Sequence, residues 1–591
     1  MKKIPYGIGN YKLLKKDNYY FIDKTKFIKK IENLGSRYLF FLRPRKFGKS
    51  LFLSMLEYYY DILAKDEFEK LFSDTYIGKN PTPLKNSYPI LKFDFSGIPV
   101  YGAIENIRKS FDTSVRTDIE VFFDKYKGLY PDLEKIKKDV LKGENATDML
   151  NIFIKKLTNS GISYYLLIDE YDNFANNIIA EQDRRTYKDI THGGGFLRSF
   201  FAVIKNGTQN LSIDRLFVVG VSPLVLSDVT SGMNIGDNIS TMELFHDMVG
   251  ITTKELNEMM KYYSREMLKK EDVQPLMNIF KEYANNYLFS EKEERLYNTD
   301  MVMYILNKYS QDRKIPRVLI DPNIKTDYDR LRFLIIEKGR LNGNFRILEE
   351  VLENGETTGT LTDSFALGEL IDPEKFRSLL YYLGLVSIKN ITLSGRYIYT
   401  IPNQTIKELL WEYIRKAIRE SASQITIDID RLRSLFEQFA FYGKWKELIG
   451  YLLSEFYRIV SVRDFIWKEE GIKMFFLTYL NITSLYKITS EYDTGSGFTD
   501  IYLEKNWVIA REVKYEYIIE LKHLKGKNGE DKELVEKARK EGIDQLKRYA
   551  SSIERRIPEY LKDSSDVKLP ILKKILIISS SKKPLIVEEV E

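Results

Sequence analysis

The sequence predicts a multidomain α/β protein, and three observations predict it. An apolar strand, Tyr38–Leu42, runs through a basic turn into Gly48-Lys49-Ser50 and a helix. A second apolar run from Tyr164 ends in Asp169-Glu170, roughly 120 residues further on. Late in the chain, strand-like segments place Asp500, then Glu520 and Lys522, ahead of a helix and another strand. The first two observations belong to one parallel sheet that binds phosphate at its carboxyl edge. The third belongs to a separate α/β domain.

Length and composition fit this reading. A chain of 591 residues has a soft prior of about three or four domains. Hydrophobic content of 43% and charged content of 30% are those of an ordinary soluble protein. No apolar run approaches the roughly 18 residues of a membrane span, and the N-terminal segment lacks the apolar stretch of a secretory signal. A cytoplasmic protein without a membrane partner is expected. There are no cysteines, which excludes disulfides, thiolate metal sites and a cysteine nucleophile. The three histidines, His192, His246 and His523, are far apart, so a catalytic metal would be a hard ion on carboxylates. A net charge of +6 permits nucleic acid binding without demanding it.

Taken in order, Tyr19–Ile22 is followed by Asp23-Lys24-Thr25, where Asp23 and Thr25 read as capping residues, and Lys26–Asn33 reads as a helix. The turn after Tyr38–Leu42 has the layout of a phosphate-binding loop. Backbone N–H groups of Arg45, Lys46, Phe47, Gly48, Lys49, Ser50 and Leu51 would cradle the phosphates. Lys49 would reach the β- and γ-phosphates, and the Ser50 hydroxyl would hold Mg²⁺. The full pattern G-x-x-x-x-G-K-[ST] asks for glycine where this chain has Arg43. Ser50–Leu63 has helical periodicity, Pro89–Phe95 reads as a buried strand, and Ala103–Leu141 as mostly helical. At the end of the Tyr164 strand, Asp169 would hold the Mg²⁺ water shell and Glu170 would polarise the attacking water. The strand Arg215–Val221 ends in Ser222. That serine is either a γ-phosphate sensor or a strand-ending turn residue. Arg198, after the glycine loop Gly193–Gly195, is a candidate γ-phosphate arginine.

These residues resemble a known family. YFIDKT (Tyr20–Thr25), FLRPRKFGKSL (Phe41–Leu51), LIDEYDN (Leu167–Asn173) and VGVSPLVLSDVTSGMN (Val219–Asn234) look like the AAA-ATPase-like proteins of bacteria and archaea. Those proteins carry a C-terminal PD-(D/E)xK nuclease-like domain. The likeness extends over nearly the whole chain, with its specific motifs in the first 240 residues. In that family an arginine replaces the first loop glycine, which matches Arg43. The resemblance implies a P-loop NTPase with an AAA-like or STAND-like parallel sheet, a helical and winged-helix middle, and a C-terminal restriction-endonuclease-like α/β domain. The corresponding boundaries are 1–250, 251–430 and 431–591.

In the middle region, Thr252–Asn307 reads as helices. Leu367–Leu370 and Pro373–Leu383 follow as helices, Gly384 as a cap, and Leu385–Ile388 with Tyr397–Ile401 as a hairpin around Ser394-Gly395. Helix, helix and β-wing read as a winged-helix module. Such a module enters a DNA groove or serves as a rigid connector. The segment is not notably basic, which favours the connector.

In the last region, Leu435–Ser461 and Glu470–Leu480 read as helices. Ile488–Asp493 and Phe498–Leu503 read as strands around Thr494–Gly497, and Tyr515–Lys522 as a third. Lys537–Ser552 reads as a helix and Lys574–Ser579 as a strand. Asp500 and Glu520 on neighbouring strands can hold Mg²⁺ between them, and the metal polarises a phosphodiester and activates water. Lys522, on the same face as Glu520, would orient that water and stabilise developing charge. The resemblance adds Glu470 as the leading-helix acid and metal ligand, and Gln545 as a residue near the site. It also marks a departure, since Thr499 stands where proline or arginine often precedes the aspartate.

The expected function is an ATP- and Mg²⁺-binding, ATP-hydrolysing domain coupled to a metal-dependent nuclease acting on nucleic acid, DNA in the first instance. Homo-oligomerisation is left open. Two other functions stay in view. One is a nucleotide-dependent switch whose C-terminal domain binds without cutting. The other is a DNA-binding regulator built on the winged helix.

Overall fold

Five strands lie side by side in the order β2-β3-β4-β1-β5, all parallel. They are β1 (Tyr38–Leu42), β2 (Ile90–Asp94), β3 (Tyr164–Asp169), β4 (Ile213–Gly220) and β5 (Asp237–Asn238). Parallel sheets are covered on both faces, which is why β3, YYLLID, is buried at every position. A computed structural model describes all residues except 183, 210–211, 231–235, 325–335, 338–339, 342, 422–426, 463–470, 525–527, 530, 562–566 and 581–582. Two compact units divide the chain. One is Met1–Val273, Phe280–Leu334 and Thr358–Asn403; the other is Gln274–Ile279, Ile335–Thr357 and Gln404–Glu591.

In the first unit, α1 (Lys49–Tyr60) follows β1 directly. It ends three residues before the predicted Leu63 because Asp61 turns extended and caps the next turn through Leu63 N–H. The stretch Ala103–Leu141, expected to be mostly helical, holds two helices, α2 (Ile104–Tyr126) and Leu133–Val140, parted around Gly128 and Pro131. The helix α3 (Phe196–Gln209) precedes β4. Further on, α4 (Thr253–Tyr263) opens with a full capping box between Thr252 and Glu255. The helices Lys270–Tyr283 and Thr299–Asp312 complete the expected helical stretch.

The predicted helix and hairpin of the middle region are present as α5 (Pro373–Tyr382), β6 (Ser387–Ile391) and β7 (Tyr397–Thr400). The first predicted helix of that module is only a 3-10 turn, Leu367–Glu369. That shortening leaves the winged-helix reading as an expectation. Gly384 takes φ +75°, ending α5 as its sequence position indicates.

In the second unit, the stretch Leu435–Ser461, expected to be helical, falls in two helices, Ile429–Tyr442 and Trp445–Val462. Gly443 at φ +69° ends the first. After α6 (Gly471–Leu480) comes a five-stranded mixed sheet in sequence order. Its strands are β8 (Tyr486–Asp493), β9 (Phe498–Lys505), β10 (Tyr515–Leu524), β11 (Ile571–Ser580) and β12 (Pro584–Glu589). The pairs β8/β9, β9/β10 and β11/β12 are antiparallel, and β10/β11 is parallel. Between β10 and β11 runs α7 (Lys532–Ser552), which buries Leu546 and Tyr549 against Leu576 and Ile578. Among the described residues, no helix is long and apolar enough to cross a membrane.

Candidate functional sites: a phosphate-binding cavity and a carboxylate row

The turn between β1 and α1 is shaped by two left-handed residues, Lys46 at φ +69° and Gly48 at φ +99°. Gly48 is the N-cap of α1, so the first N–H groups of the helix lack intrahelical acceptors and face whatever the turn encloses. The loop carbonyls are held from outside. Gly250 N–H donates to Phe47 O, Asp300 N–H to Lys46 O, and the Thr299 hydroxyl to Phe47 O. Lys49 is buried, and its ammonium donates to Arg43 O at 2.9 Å and Pro44 O at 3.0 Å. Burial lowers its pKa to about 8, against the raising influence of Glu170, Asp172 and Asp169.

Arg43, the residue in the place of glycine, is fully buried, and among the described residues its hydrogen bonds go to carbonyls. Its guanidinium lies 4.6 Å from the Phe41 ring centroid and 4.3 Å from that of Phe289. It donates to the carbonyls of Leu42, Ser240, Phe245 and His246. Arg43 therefore fastens the loop to a segment some 200 residues away. Gly384, at the end of α5, packs so close to Pro44 that a Cβ there would meet the proline ring at 2.7 Å.

Asp169 ends β3, buried, in register with Asp94 of β2. Burial raises its pKa, with Asp94 adding to the rise. The Ser50 side chain acts on the Asp169 carboxylate and opposes that rise, so the two predicted Mg²⁺ residues are neighbours. Glu170 adopts φ +46°, an unfavourable conformation for a side-chain-bearing residue that is kept where surroundings enforce it. Its pKa is raised by burial. The loop, Glu170 and Asn173 line a cavity of about 550 Å³, within the range of small-molecule sites. Arg45 lines it too and donates to Asn173 Oδ1 at 3.1 Å. Further walls come from Pro5, Gly7, Ile8, Gly9, Tyr20–Ile22, Met248–Ile251 and Met303, none of which the sequence reading singled out as walls. YFIDKT was the sole signal in that region. Its Lys24 lines the cavity and donates to Glu255, the capping residue of α4.

Two predicted supporting residues lie elsewhere. Ser222 is buried, with its N–H on Asp172 at 2.9 Å, and is not among the cavity's lining residues. This placement corresponds to the turn reading of Ser222. Arg198 sits in the first turn of α3 and does not line the cavity either.

In the second unit, Asp500 on β9 and Glu520 on β10 meet across the strands. The pairing Ile501↔Ile519, carried one step further, sets them opposite each other. Asp500 Oδ2 accepts Leu521 N–H at 2.7 Å, leaving Oδ1 toward the site. Glu520 is buried; its Oε1 accepts from Lys522 at 2.9 Å, and its Oε2 has no hydrogen-bond partner. Burial raises both carboxyl pKa values, and Asp500 raises that of Glu520 further. A buried carboxylate oxygen without a partner beside a second carboxylate is the chemistry of a hard-cation site. Gln545 on α7 likewise buries an unpartnered Oε1. Glu470, the predicted third ligand, lies outside the described residues. Among the described residues no group of three or more His, Cys, Asp or Glu is gathered to hold a metal. The sequence reading missed Lys473 of α6, whose ammonium contacts Glu491 and lies 3.8 Å from Asp500 Oδ1.

Fold and sites thus define a P-loop unit on a parallel sheet and a second unit with a D…E-x-K constellation on a mixed sheet. Residues 5–230 match a family model described as "Predicted AAA-ATPase", and residues 467–589 match the PD-(D/E)XK nuclease superfamily. The chain thus carries an AAA-ATPase-like domain over residues 5–230 and a PD-(D/E)XK nuclease-superfamily domain over residues 467–589. A relative from Azotobacter chroococcum mcd 1, titled "Uncharacterized protein in vnfD 5'region", is 24% identical over 425 residues, covering 70% of this chain and 69% of that protein. Solved structures are more distant. The Walker-type ATPase PABY2304 of Pyrococcus abyssi matches at 13% identity and TM-score 0.35, covering 66% of this chain and 96% of its own. Cdc6p from Pyrobaculum aerophilum matches at 11% identity and TM-score 0.26, with 66% and 94% covered. The Aeropyrum pernix ORC2 protein matches at 11% identity and TM-score 0.29, with 69% and 97% covered.

Proposed function

We propose that the chain hydrolyses ATP in its first unit and cuts DNA in its second by phosphodiester hydrolysis, with the nucleotide state gating cleavage. The observation that supports it above the others is the union of two phosphate chemistries on one chain: Lys49, Ser50 and Glu170 around one cavity, with Asp169 beside Ser50, and Asp500, Glu520 and Lys522 in one constellation.

In the first unit, the loop N–H groups and Lys49 bind the phosphates of ATP. Lys49 already sits folded over the loop carbonyls, so it turns from Arg43 O and Pro44 O onto the phosphate. Ser50 and Asp169 would hold Mg²⁺. Glu170 takes a proton from, and orients, the attacking water. In the second unit, Asp500 Oδ1 and Glu520 Oε2 would hold a divalent ion, which when bound polarises the phosphodiester and makes water a better nucleophile. Lys522 fixes the Glu520 carboxylate and stabilises negative charge on the phosphate.

The test is cleavage of linear, circular and single-stranded DNA with Mg²⁺, with and without ATP. Wild type is compared with Lys522→Ala and Lys49→Ala. Cutting by wild type that Lys522→Ala abolishes, with ATP binding intact, is the expected result. The Lys49→Ala lane then reports whether ATP gates the cut. If all three proteins cut alike, or none cuts, the nuclease reading fails and a non-cleaving switch takes its place.

A further inference from the structure

We infer that Lys473 is a built-in cation of the second unit's site, holding Asp500 and Glu491 while no divalent metal is bound and leaving Asp500 when metal binds. The inference rests on the nuclease-site reading above and adds residues that the motif does not contain.

Strand register carries the argument. In the β8/β9 pair, Ser490 faces Ile501 and Tyr492 faces Thr499, so Glu491 falls opposite Asp500. Asp500 in turn falls opposite Glu520, one step beyond Ile501↔Ile519. Opposed residues of antiparallel strands share a face, which holds for Asp500 and Glu520, and Glu491, off the extended backbone, is tied into the same row by the Lys473 ammonium that contacts both it and Asp500. Like charges directly opposed destabilise a sheet, and each end of this row carries its own remedy. At the Glu520 end it is Lys522, two residues along the same strand. At the Glu491 end it is Lys473, brought in from α6. That is a separate element of the fold, and nothing in E-x-K spacing asks for it.

Lys473 occupies a place that matters to metal. Asp500 Oδ2 is committed to Leu521 N–H, so Oδ1 is the oxygen left for a ligand. It is Oδ1 that Lys473 faces at 3.8 Å. An ammonium and a divalent ion compete for that oxygen and repel each other. Lys473 is only 17% exposed, so water screens its charge weakly, whereas Glu491 is 45% exposed. Glu491 also holds φ +49°, a conformation kept where packing enforces it. Glu491 is thus the residue that retains the ammonium once Asp500 turns to the metal. Lys473 then stands beside the metal, free to meet a phosphate oxygen.

The test is calorimetric titration of Mn²⁺ into the nucleotide-free full chain. Asp500→Asn defines which part of the binding belongs to this site. Lys473→Met, which removes the competing charge and keeps the stem, is expected to tighten the Asp500-dependent binding about tenfold. Lys473→Gln serves as the second variant if the methionine does not fold, with the same expected direction. Tightening is a change that structural damage does not produce. If Asp500-dependent binding is present and both Lys473 variants bind as wild type or more weakly, the inference is overturned while the metal site stands. If no variant and no wild-type protein shows Asp500-dependent binding, the nuclease-site reading itself falls.

Discussion

The two candidate sites gather negative charge near a phosphate by opposite means. The nucleotide cavity assembles groups from distant parts of the chain: Ser50 from the first turn of α1, Glu170 from just beyond β3, and walls from Pro5, Gly7, Ile8, Gly9 and Met248–Ile251. Its loop is held by Arg43 on the carbonyls of residues 240–246 and by Gly384 on Pro44. The carboxylate row instead draws Glu491, Asp500 and Glu520 from three consecutive strands, aligned by strand register and, at Glu491, by the Lys473 ammonium. The first site should therefore be sensitive to remote packing, and the second to the charges of its immediate neighbours.

The largest expected effects fall on the reacting groups themselves. Asp500→Asn should lower metal-dependent cleavage by about 10²-fold or more while leaving ATP turnover unchanged, and Lys49→Ala should lower ATP turnover by a similar factor. Steady-state rates of both activities on both variants check this. Parallel loss of ATP turnover in Asp500→Asn would break the comparison at its root.

Arg43→Gly comes next. It restores the residue that the general phosphate-loop pattern asks for, yet it removes the donor to four carbonyls and leaves a void between Phe41 and Phe289. Buried carbonyls without donors and an unfilled aromatic slot should cost about 3 kcal/mol or more. Chemical denaturation measures it. An Arg43→Gly protein as stable as wild type would show that the arginine is not what fastens the loop.

What was legible in the sequence follows the same division. Gly48-Lys49-Ser50 and Asp169-Glu170 are contiguous motifs attached to apolar runs, so strand, loop and helix could be read locally. Arg43 was visible only as a departure, because its partners lie around Ser240 and Phe289, where nothing in the sequence points back to it. The cavity walls were hidden for the same reason. Asp500, Glu520 and Lys522 were readable because Glu520 and Lys522 end an apolar strand. Glu491 and Lys473 were not, since a lone glutamate and a lone lysine carry no pattern in so charged a chain. Only the register Ser490↔Ile501 identifies Glu491 as the neighbour of Asp500. The helical stretch Leu435–Ser461 is divided at Gly443, whose left-handed conformation ends the first of its two helices.

Gly384→Ala probes remote packing with the smallest chemical change. The added methyl meets the Pro44 ring at 2.7 Å, and φ +75° is unfavourable for alanine. A loss of about 2 kcal/mol is expected from overpacking and backbone strain together. Nucleotide affinity, measured by fluorescent ATP-analogue titration, should fall with it, and Mn²⁺ binding at Asp500 should not. Equal loss at both sites would contradict the division drawn above.

Acid pH separates the two units most finely, because their buried groups respond with opposite signs. His246 is buried, with Ser290 on Nδ1 and Glu294 O on Nε2, an arrangement that fits the neutral ring. Burial, and Arg43 after it, lower its pKa to about 4. Below the ordinary histidine value of about 6.5 the unfolded chain takes up a proton that the folded one refuses, so stability falls as pH drops toward 4. The loss should reach about 2 kcal/mol by pH 5, and His246→Gln should flatten it. Asp500 and Glu520 have raised pKa values, so the folded state there keeps protons that the unfolded chain releases. Their contribution is present at low pH and lost as pH rises through the raised range. Calorimetric melts of wild type and His246→Gln from pH 7 to 5 should therefore show the histidine-dependent change in the unfolding of the first unit alone. A second-unit transition that shifts with His246→Gln would mean that the two sites share more of the structure than their separate construction implies.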